Sequence, residues 1–130
     1  MKKSIIASSA IFILIMTMSG CHRDIYGCTD PAAANYARNA NVDNGSCRYN
    51  GNVMFWFDRN NGVGTVTING QSANINGFVT GGVPNCGNNV SANFTLQEGS
   101  YIYSASATNG LTWNDTATVF ANNCQLYQLH

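Results

Sequence analysis

Seven short runs of β-branched and aromatic residues follow one another between residues 52 and 129, and turn-forming residues separate them. No segment after Tyr36 has the 3.6-residue periodicity of a helix. Short runs with Gly, Asn and Ser between them are typical of strands. The runs are 52–58, 63–68, 73–79, 92–96, 101–107, 112–120 and 124–129. The sequence therefore predicts an all-β domain over residues 51–130.

The turns and the alternation within the runs indicate an antiparallel arrangement. Asn69-Gly70 and Asn109-Gly110 each separate two adjacent runs, and Asn-Gly is a strong hairpin signal. Seven such strands in one small domain predict a seven-stranded antiparallel sandwich of immunoglobulin-like kind. Residues 53–57 are apolar at every position. This run is either a central strand covered on both sides or a strand that exposes a row of aromatic side chains.

The segment LQEGSYIY, residues 96–103, lies between the fourth and fifth runs. It resembles the Leu-x-x-Gly-x-Tyr corner of small bacterial β-sandwich domains of the PEGA and carboxypeptidase-regulatory type. In such domains the Gly makes the turn and the Tyr begins an inward-facing strand. The resemblance implies a small β-sandwich that serves as an accessory or binding module.

The chain begins with an export signal. Lys2 and Lys3 precede an apolar stretch over residues 5–18, which is shorter than the roughly 20 residues of a membrane-spanning helix. The following Met-Ser-Gly-Cys, which ends at Cys21, resembles the lipobox of bacterial lipoproteins. That resemblance implies cleavage after residue 20 and acylation of Cys21. The alternatives are an ordinary secretory signal with a cysteine just past the cut, and an uncleaved anchor.

Lipidation predicts where the protein resides. Two or three acyl chains anchor a protein stably, whereas one chain does so only marginally. We therefore expect residues 21–26 to be a lipidated tether that holds the protein at the outer membrane of a two-membrane bacterium. Some such bacteria mark surface lipoproteins with acids after the acylated Cys, but only Asp24 occurs here. Display at the cell surface and retention on the periplasmic face both remain open.

Four cysteines remain once Cys21 is set aside, and an even number in an exported chain indicates disulfides. Four cysteines permit three connectivities. We predict Cys28–Cys47 and Cys86–Cys124, because each pair then lies within one segment. In the chain-entropy model these loops contribute about 3 and nearly 4 kcal/mol to stability.

Residues 27–50 form a separate short segment that Cys28 and Cys47 bracket. Thr29 or Asp30 can cap a helix whose first position is Pro31, and three alanines favour one or two further turns. The pattern Cys-Thr-Asp-Pro…Asp-x-Gly-Ser-Cys resembles a short module found in bacterial cell-surface and secreted proteins. We therefore predict a small disulfide-closed knot with a short helix.

A calcium site in this knot is a weaker hypothesis. Asp30, Asp43 and Asn44 carry side-chain oxygens, and Asp-Asn-Gly is part of an EF-hand loop pattern. That loop also needs several spaced acids and a final Glu, which the segment lacks. Capping by Asp30 and turn formation by Asp43 explain the same residues, so we predict no metal and no cofactor.

No catalytic group of residues is evident, and we predict that the protein is not an enzyme. The two histidines are His22, beside the predicted tether, and His130, the last residue. The β domain has three acids, Asp58, Glu98 and Asp115. A glycosidase needs two acids at a defined separation, and the spacing of these three does not indicate such a pair.

The sequence also contains two weaker candidate sites, one for sugar stacking and one for O-glycosylation. Trp56 and Trp113 are candidate stacking residues for a sugar, although aromatic residues also fill the core of a small sandwich. Asp115-Thr116-Ala117 resembles the sequon for O-glycosylation of exported proteins in some bacteria, which makes Thr116 a candidate modification site.

Charge limits the partners. The full chain has six basic and six acidic residues, which excludes the basic footprint of a nucleic-acid binder. Removal of residues 1–20 leaves four Arg and six acids, a net charge of −2. We predict a lipid-anchored, non-enzymatic interaction or structural module at the cell envelope whose partners are the bilayer, through Cys21, and an envelope protein or glycan. The alternatives are a carbohydrate-binding accessory lipoprotein for polysaccharide capture and a subunit of a larger outer-membrane complex.

Overall fold

Nine β-strands form the secondary structure of residue 20 and residues 22–130, the part of the chain that the computed structural model describes. No helix occurs in this part, so the all-β prediction is confirmed. The strands are β1 (Tyr26–Gly27), β2 (Val42–Asp43), β3 (Asn50–Phe57), β4 (Gly64–Ile68), β5 (Gln71–Ile75), β6 (Ala92–Gln97), β7 (Gly99–Ala107), β8 (Thr112–Val119) and β9 (Cys124–Leu129).

The strand count is nine and not the predicted seven, because β1 and β2 are two-residue strands near the N-terminus. Each predicted run overlaps one of the strands β3 to β9. The prediction for the third run, residues 73–79, is shifted relative to the structure. β5 starts at Gln71 and ends at Ile75. Asn69 and Gly70 both have positive φ, 49° and 73°, so a two-residue turn starts β5 at Gln71. The backbone N–H of Asn76 then donates to Val90, which takes the chain out of the sheet.

Strands β3 to β9 form two sheets that pack in a sandwich-like arrangement. One sheet has four antiparallel strands in the order β5-β4-β7-β8, and the other has three in the order β6-β3-β9. The prediction of a purely antiparallel fold is wrong, because β3 and β9 pair in parallel from Asn52 opposite Cys124 to Phe57 opposite Leu129. A parallel pair needs a crossover connection, and the whole four-stranded sheet lies within the one between β3 and β9.

The core lies between the two sheets, and β3 is its central strand. Val53, Phe55 and Phe57 point into the core, where the Phe55 ring lies 4.6 Å from that of Tyr103 on the opposite sheet. The alternate residues Met54 and Trp56 point to the other face, yet they are also buried. Of the two arrangements considered for this run, the structure shows the strand covered on both sides.

The N-terminal module, residues 27–49, is held by the Cys28–Cys47 disulfide and has turns where a helix was predicted. The helix prediction is wrong, because backbone N–H groups of this segment donate to distant carbonyls and not to the carbonyl four residues earlier. The N–H of Ala34 donates to the carbonyl of Arg48, and that of Ala37 donates to the carbonyl of Cys28. An α-helix would need the Ala37 N–H to donate to Ala33, four residues earlier.

The N-terminal module joins the sandwich at the start of β3. The N–H of Tyr49 donates to the Glu98 carboxylate at 3.2 Å, and the N–H of Glu98 donates to the Tyr49 carbonyl at 2.8 Å. We call this end of the sandwich the module end. The opposite end, where β3 and β9 finish, is called the loop end. The seven residue steps of β3 place the two ends about 23 Å apart.

Candidate functional site

A long loop crosses the outer face of the three-stranded sheet. This covering loop, residues 76–91, connects β5 to β6. Its backbone is fixed near the start, where the N–H of Val79 donates to the Phe57 carbonyl at 2.9 Å. Its far part is fixed by the disulfide between Cys86 and Cys124, the first residue of β9. The covering loop is therefore attached to both β3 and β9.

A cleft of about 360 Å³ opens between the covering loop and the sheet at the loop end of the molecule. We call it the end cleft. Its floor is formed by Trp56 on β3 and Gln128 on β9, which are direct partners in the parallel register. Its remaining lining residues are Asp58, Val79, Thr80, Gly81, Gly82 and Val83.

Asp58 is the acidic group of the end cleft, and Arg59 balances its charge. The guanidinium of Arg59 donates to both carboxylate oxygens, at 3.1 and 3.3 Å. This hydrogen bonding lowers the pKa of Asp58, and the charge of His130 adds a smaller lowering. Asp58 is therefore ionised at neutral pH. Because its side chain is 30% exposed, it can still accept hydrogen bonds from a ligand.

The side chains that line the end cleft can hydrogen-bond and pack against a ligand. Asp58 accepts hydrogen bonds, Gln128 and Thr80 can both donate and accept, and Trp56 supplies apolar surface. The lining contains no Cys, His or Lys that could act as a nucleophile or base beside Asp58.

Similarity to known proteins gives no function for the end cleft. The chain matches no protein-family model, no curated protein and no solved structure. The geometry of the end cleft and the sequence signals are therefore the basis for its interpretation.

The structure separates the two candidate stacking residues. Trp56 is 4% exposed and lies on the outer face of the three-stranded sheet. Trp113 lies on the inner side, where its ring centroid is 5.7 Å from that of Phe57 in the core and its Nε1–H donates to the His130 carbonyl. The two rings therefore do not form a joint stacking platform, and Trp56 alone lines a cleft.

The acids of the β domain are also apart. Glu98 lies at the module end, where it binds Tyr49, whereas Asp58 lies at the loop end. Asp115 is on β8 opposite Tyr103, and its carboxylate accepts a hydrogen bond from the Thr116 N–H at 2.7 Å. The fold does not bring Asp58 and Glu98 together as the acid pair of a glycosidase.

Thr116 is exposed on β8 and pairs with Ile102 of β7. Because Ile102 is 79% exposed, both residues lie on the outer face of the four-stranded sheet. The side chain of Thr116 is therefore accessible to a modifying enzyme, and its O-glycosylation stays a prediction.

The calcium candidates act in turns of the N-terminal module. Asp30 accepts hydrogen bonds from the Ala32 N–H at 2.9 Å and from the Tyr49 hydroxyl at 2.6 Å. Asp43 accepts from the Gly45 N–H at 2.9 Å, and Asn44 accepts from the Ser46 N–H at 3.0 Å. Across residue 20 and residues 22–130, no three His, Cys, Asp or Glu side chains are grouped as metal ligands.

The predicted export signal, residues 1–20, and Cys21 lie outside the described residues, apart from Gly20. Cleavage and lipidation therefore stay predictions. Within the described part of the chain, no helix is long and apolar enough to cross a membrane.

Sequence reasoning missed Asp58, Gln128 and residues 79–83 as parts of one site. In the sequence, Gly81-Gly82 is typical of a turn, and Asp58 is a candidate only for a catalytic acid. The end cleft is formed by three segments that are distant in sequence. Gln128 reaches it because β9 pairs with β3 in parallel, and residues 79–83 reach it because the Val79 N–H donates to the Phe57 carbonyl. A local sequence pattern does not reveal that the first and last strands of the sandwich pair.

Proposed function

We propose that this chain is an exported lipoprotein that acts as a non-enzymatic binding module at the bacterial cell envelope. Its anchor is the acylated Cys21, and its binding region is the loop end of the sandwich. The observation that carries the proposal is the position of these two features. The chain enters through the N-terminal module at one end, and the end cleft opens about 23 Å away at the other.

Hydrogen bonds near the tether support this orientation. The Asn41 side chain accepts from the Ile25 N–H at 2.7 Å and bonds to the His22 ring at 2.6 Å. Ile25 and His22, which follow Cys21, are thus hydrogen-bonded to Asn41 of the N-terminal module. A lipid on Cys21 would place this module next to the membrane and leave the loop end pointing away from it.

The finer fold assignment is part of the proposal. We infer that the sandwich is of immunoglobulin-like kind, related to the PEGA and carboxypeptidase-regulatory domains. In support, the hydroxyl of Tyr101 donates to the Gln97 carbonyl at 2.9 Å. A Tyr at the start of a strand that bonds to the backbone a few residues upstream is the tyrosine corner of immunoglobulin-like domains.

A subunit of a larger outer-membrane complex is the second candidate. Four large apolar side chains are at least 44% exposed in segments at the loop end: Val63, Phe78, Val83 and Leu111. Several exposed apolar side chains at the same end of a molecule favour contact between that end and another protein. The same end of the molecule would then contact a neighbouring subunit.

Anchoring can be tested by metabolic labelling of cells with a radioactive fatty acid. We expect the wild type and His22→Ala to be labelled and membrane-bound, and Cys21→Ser to be unlabelled and released. Labelling of Cys21→Ser equal to the wild type would disprove the lipoprotein assignment.

The binding region can be tested by cross-linking in intact cells that carry tagged full-length protein. Val83 is 71% exposed beside the end cleft, and Ile102 is 79% exposed on the four-stranded sheet. We expect Val83→Asp to reduce the yield of cross-linked envelope component several-fold and Ile102→Asp to leave it unchanged. Equal yields from the two variants would contradict a binding region at the loop end.

A further inference from the structure

We propose that the end cleft binds a neutral saccharide, presented at the membrane-distal end of the molecule. This inference rests on the proposed binding-module function and names its ligand class. Four observations support the inference: the polar residues that line the end cleft, the balanced charge of Asp58, the size of the end cleft and the accessible backbone of the covering loop.

The polar groups match the chemistry of sugar hydroxyls. A hydroxyl both donates and accepts, so a site for several adjacent hydroxyls needs acceptors and mixed donor–acceptor groups close together. Asp58, Gln128 and Thr80, which carry a carboxylate, a carboxamide and a hydroxyl, all line the end cleft. Hydrogen bonds to the ionised Asp58 would be stronger than those between neutral groups.

The charge of the end cleft favours a neutral ligand. Asp58 already has a cation partner in Arg59, with both carboxylate oxygens within 3.3 Å of the guanidinium. A cationic ligand would compete with Arg59, and an anionic ligand would be repelled by Asp58. The other residues that line the end cleft carry no charge.

Size and apolar surface agree with a small ligand. A volume of about 360 Å³ falls within the range of about 300–1,000 Å³ that is usual for small-molecule sites. Because the Trp56 ring is 4% exposed, it offers only a small part of its surface. We therefore expect Trp56 to make only a small contact with the ligand and the polar groups to set most of the affinity.

The covering loop gives the ligand access to peptide groups. Gly81 and Gly82 have φ values of 92° and 137°, in the region that favours glycine. A Cβ added at either position would meet no atom within 4 Å, so packing against a neighbour does not explain the two glycines. Their missing side chains leave the backbone N–H and C=O groups open to a ligand, while the Val79 hydrogen bond and the Cys86 disulfide fix the flanking chain.

The test is a titration of the full-length protein in a zwitterionic detergent without a sugar headgroup, which would itself compete. The probes are neutral homo-oligomers of glucose, galactose, mannose, xylose and N-acetylglucosamine, with oligogalacturonate as the anionic probe. Calorimetry measures binding to the wild type. In Trp113→Phe, fluorescence reports on Trp56 alone, since the chain has two Trp.

We expect at least one neutral oligomer to bind and to shift the emission of Trp56. Gln128→Ala should weaken its binding about fivefold, and Asp58→Asn about tenfold because a charged acceptor is lost. Gln97→Ala is the matched control, because Gln97 is an exposed Gln on the outer face of the same sheet at the module end. Circular dichroism confirms that each variant is folded.

Two results would overturn the saccharide assignment: no neutral oligomer binds the folded wild type, or binding persists unchanged in both Asp58→Asn and Gln128→Ala. Tighter binding of oligogalacturonate than of every neutral oligomer would overturn the neutral class. None of these results affects the fatty-acid labelling of Cys21 or the cross-linking of Val83→Asp, so failure of the ligand class and failure of the binding-module function are distinguishable.

Discussion

The hydroxyl of Tyr127 lies 2.7 Å from the backbone nitrogen of Thr118 and 3.4 Å from its carbonyl oxygen. Tyr127 is on β9 of the three-stranded sheet, and Thr118 is on β8, an edge strand of the four-stranded sheet. The Thr118 N–H donates to the hydroxyl, and the hydroxyl donates to the Thr118 carbonyl. One side chain thus links the edges of the two sheets by satisfying backbone groups that β8 would otherwise expose.

Tyr127→Phe should destabilise the protein by about 1–2 kcal/mol, because the Thr118 groups lose a partner while the ring stays. The ring packs 5.3 Å from that of Phe55, so the variant changes hydrogen bonding and little else. Urea denaturation measures the loss. Tyr26→Phe is the matched control, since Tyr26 is 65% exposed. A stability equal to that of the control would contradict the structural role of the link.

Replacement of both Cys86 and Cys124 by Ser should release the covering loop and expose Trp56. The chain-entropy model predicts a loss of up to about 4 kcal/mol for a loop of this length. In a Trp113→Phe background, quenching by acrylamide should increase, because Trp56 is buried beneath a loop that this disulfide fixes.

The control for the disulfide is Cys28→Ser with Cys47→Ser, which opens the N-terminal module and leaves the attachment of the covering loop intact. This pair of substitutions should lower stability by about 3 kcal/mol and leave the quenching of Trp56 unchanged. If both pairs increased the quenching equally, the covering loop would not be held by Cys86–Cys124 in particular.

Much of the fold could be predicted from local patterns. Val66 and Ile68 point inward while Thr65 and Thr67 point outward, as their alternation indicates, and Asn69-Gly70 forms the expected turn. The helix after Asp30 was wrong because helix propensity does not account for distant acceptors. The Ala34 N–H donates to Arg48 across the disulfide-closed loop, and that contact is formed only after folding.

The candidate site could be predicted only in part. Trp56 was singled out by its residue type, but its partner in the end cleft, Gln128, is contributed by a strand 72 positions later in the chain. Strand register decides which side chains share a face, and a parallel pair between the first and last strands of a sandwich leaves no local signal. Trp113 has the same residue type, yet register places it on the inner face of its sheet, partly buried against the core.

Gly51→Ala should be strongly destabilising. Gly51 lies near the start of β3, and an added Cβ would overlap the backbone carbonyl of Phe120 and lie 2.9 Å from Cγ1 of the buried Val119. Backbone atoms cannot move aside without disturbing the sheet, so we expect a loss of about 3 kcal/mol or more by chemical denaturation.

The comparison variant for Gly51 is Gly77→Ala in the covering loop. There the added Cβ would lie 3.3 Å from Cβ of Val90, a contact that a small shift of the loop relieves. We expect this variant to lose less than about 1 kcal/mol. Equal losses for the two variants would show that close packing of β3 against the Phe120 segment is not what requires Gly51.

The hydrogen bond from the Tyr49 hydroxyl to Asp30, 2.6 Å long, predicts a pH dependence at both ends of the scale. This hydrogen bond is the main reason that the pKa of Asp30 lies below its ordinary value of 3.8. It is also the main cause that raises the pKa of Tyr49 above its ordinary 10.0. The stability from the lowered Asp30 pKa is therefore present above pH 3.8 and is lost as the pH falls through the folded value. The stability from the raised Tyr49 pKa is present below pH 10.0 and is lost as the pH rises through the folded value.

Asp30→Asn should move the pKa of Tyr49 down toward 10.0, because the charged acceptor that holds the phenol proton is removed. Tyr49→Phe should move the pKa of Asp30 up, but not fully to 3.8, because the Ala32 N–H still donates to the carboxylate. NMR titration of the Asp30 carboxyl carbon and of the Tyr49 ring measures both shifts. Asp115→Asn is the control, since Asp115 lies on β8 and does not contribute to either pKa. An unchanged Tyr49 titration in Asp30→Asn would show that this hydrogen bond does not form in solution.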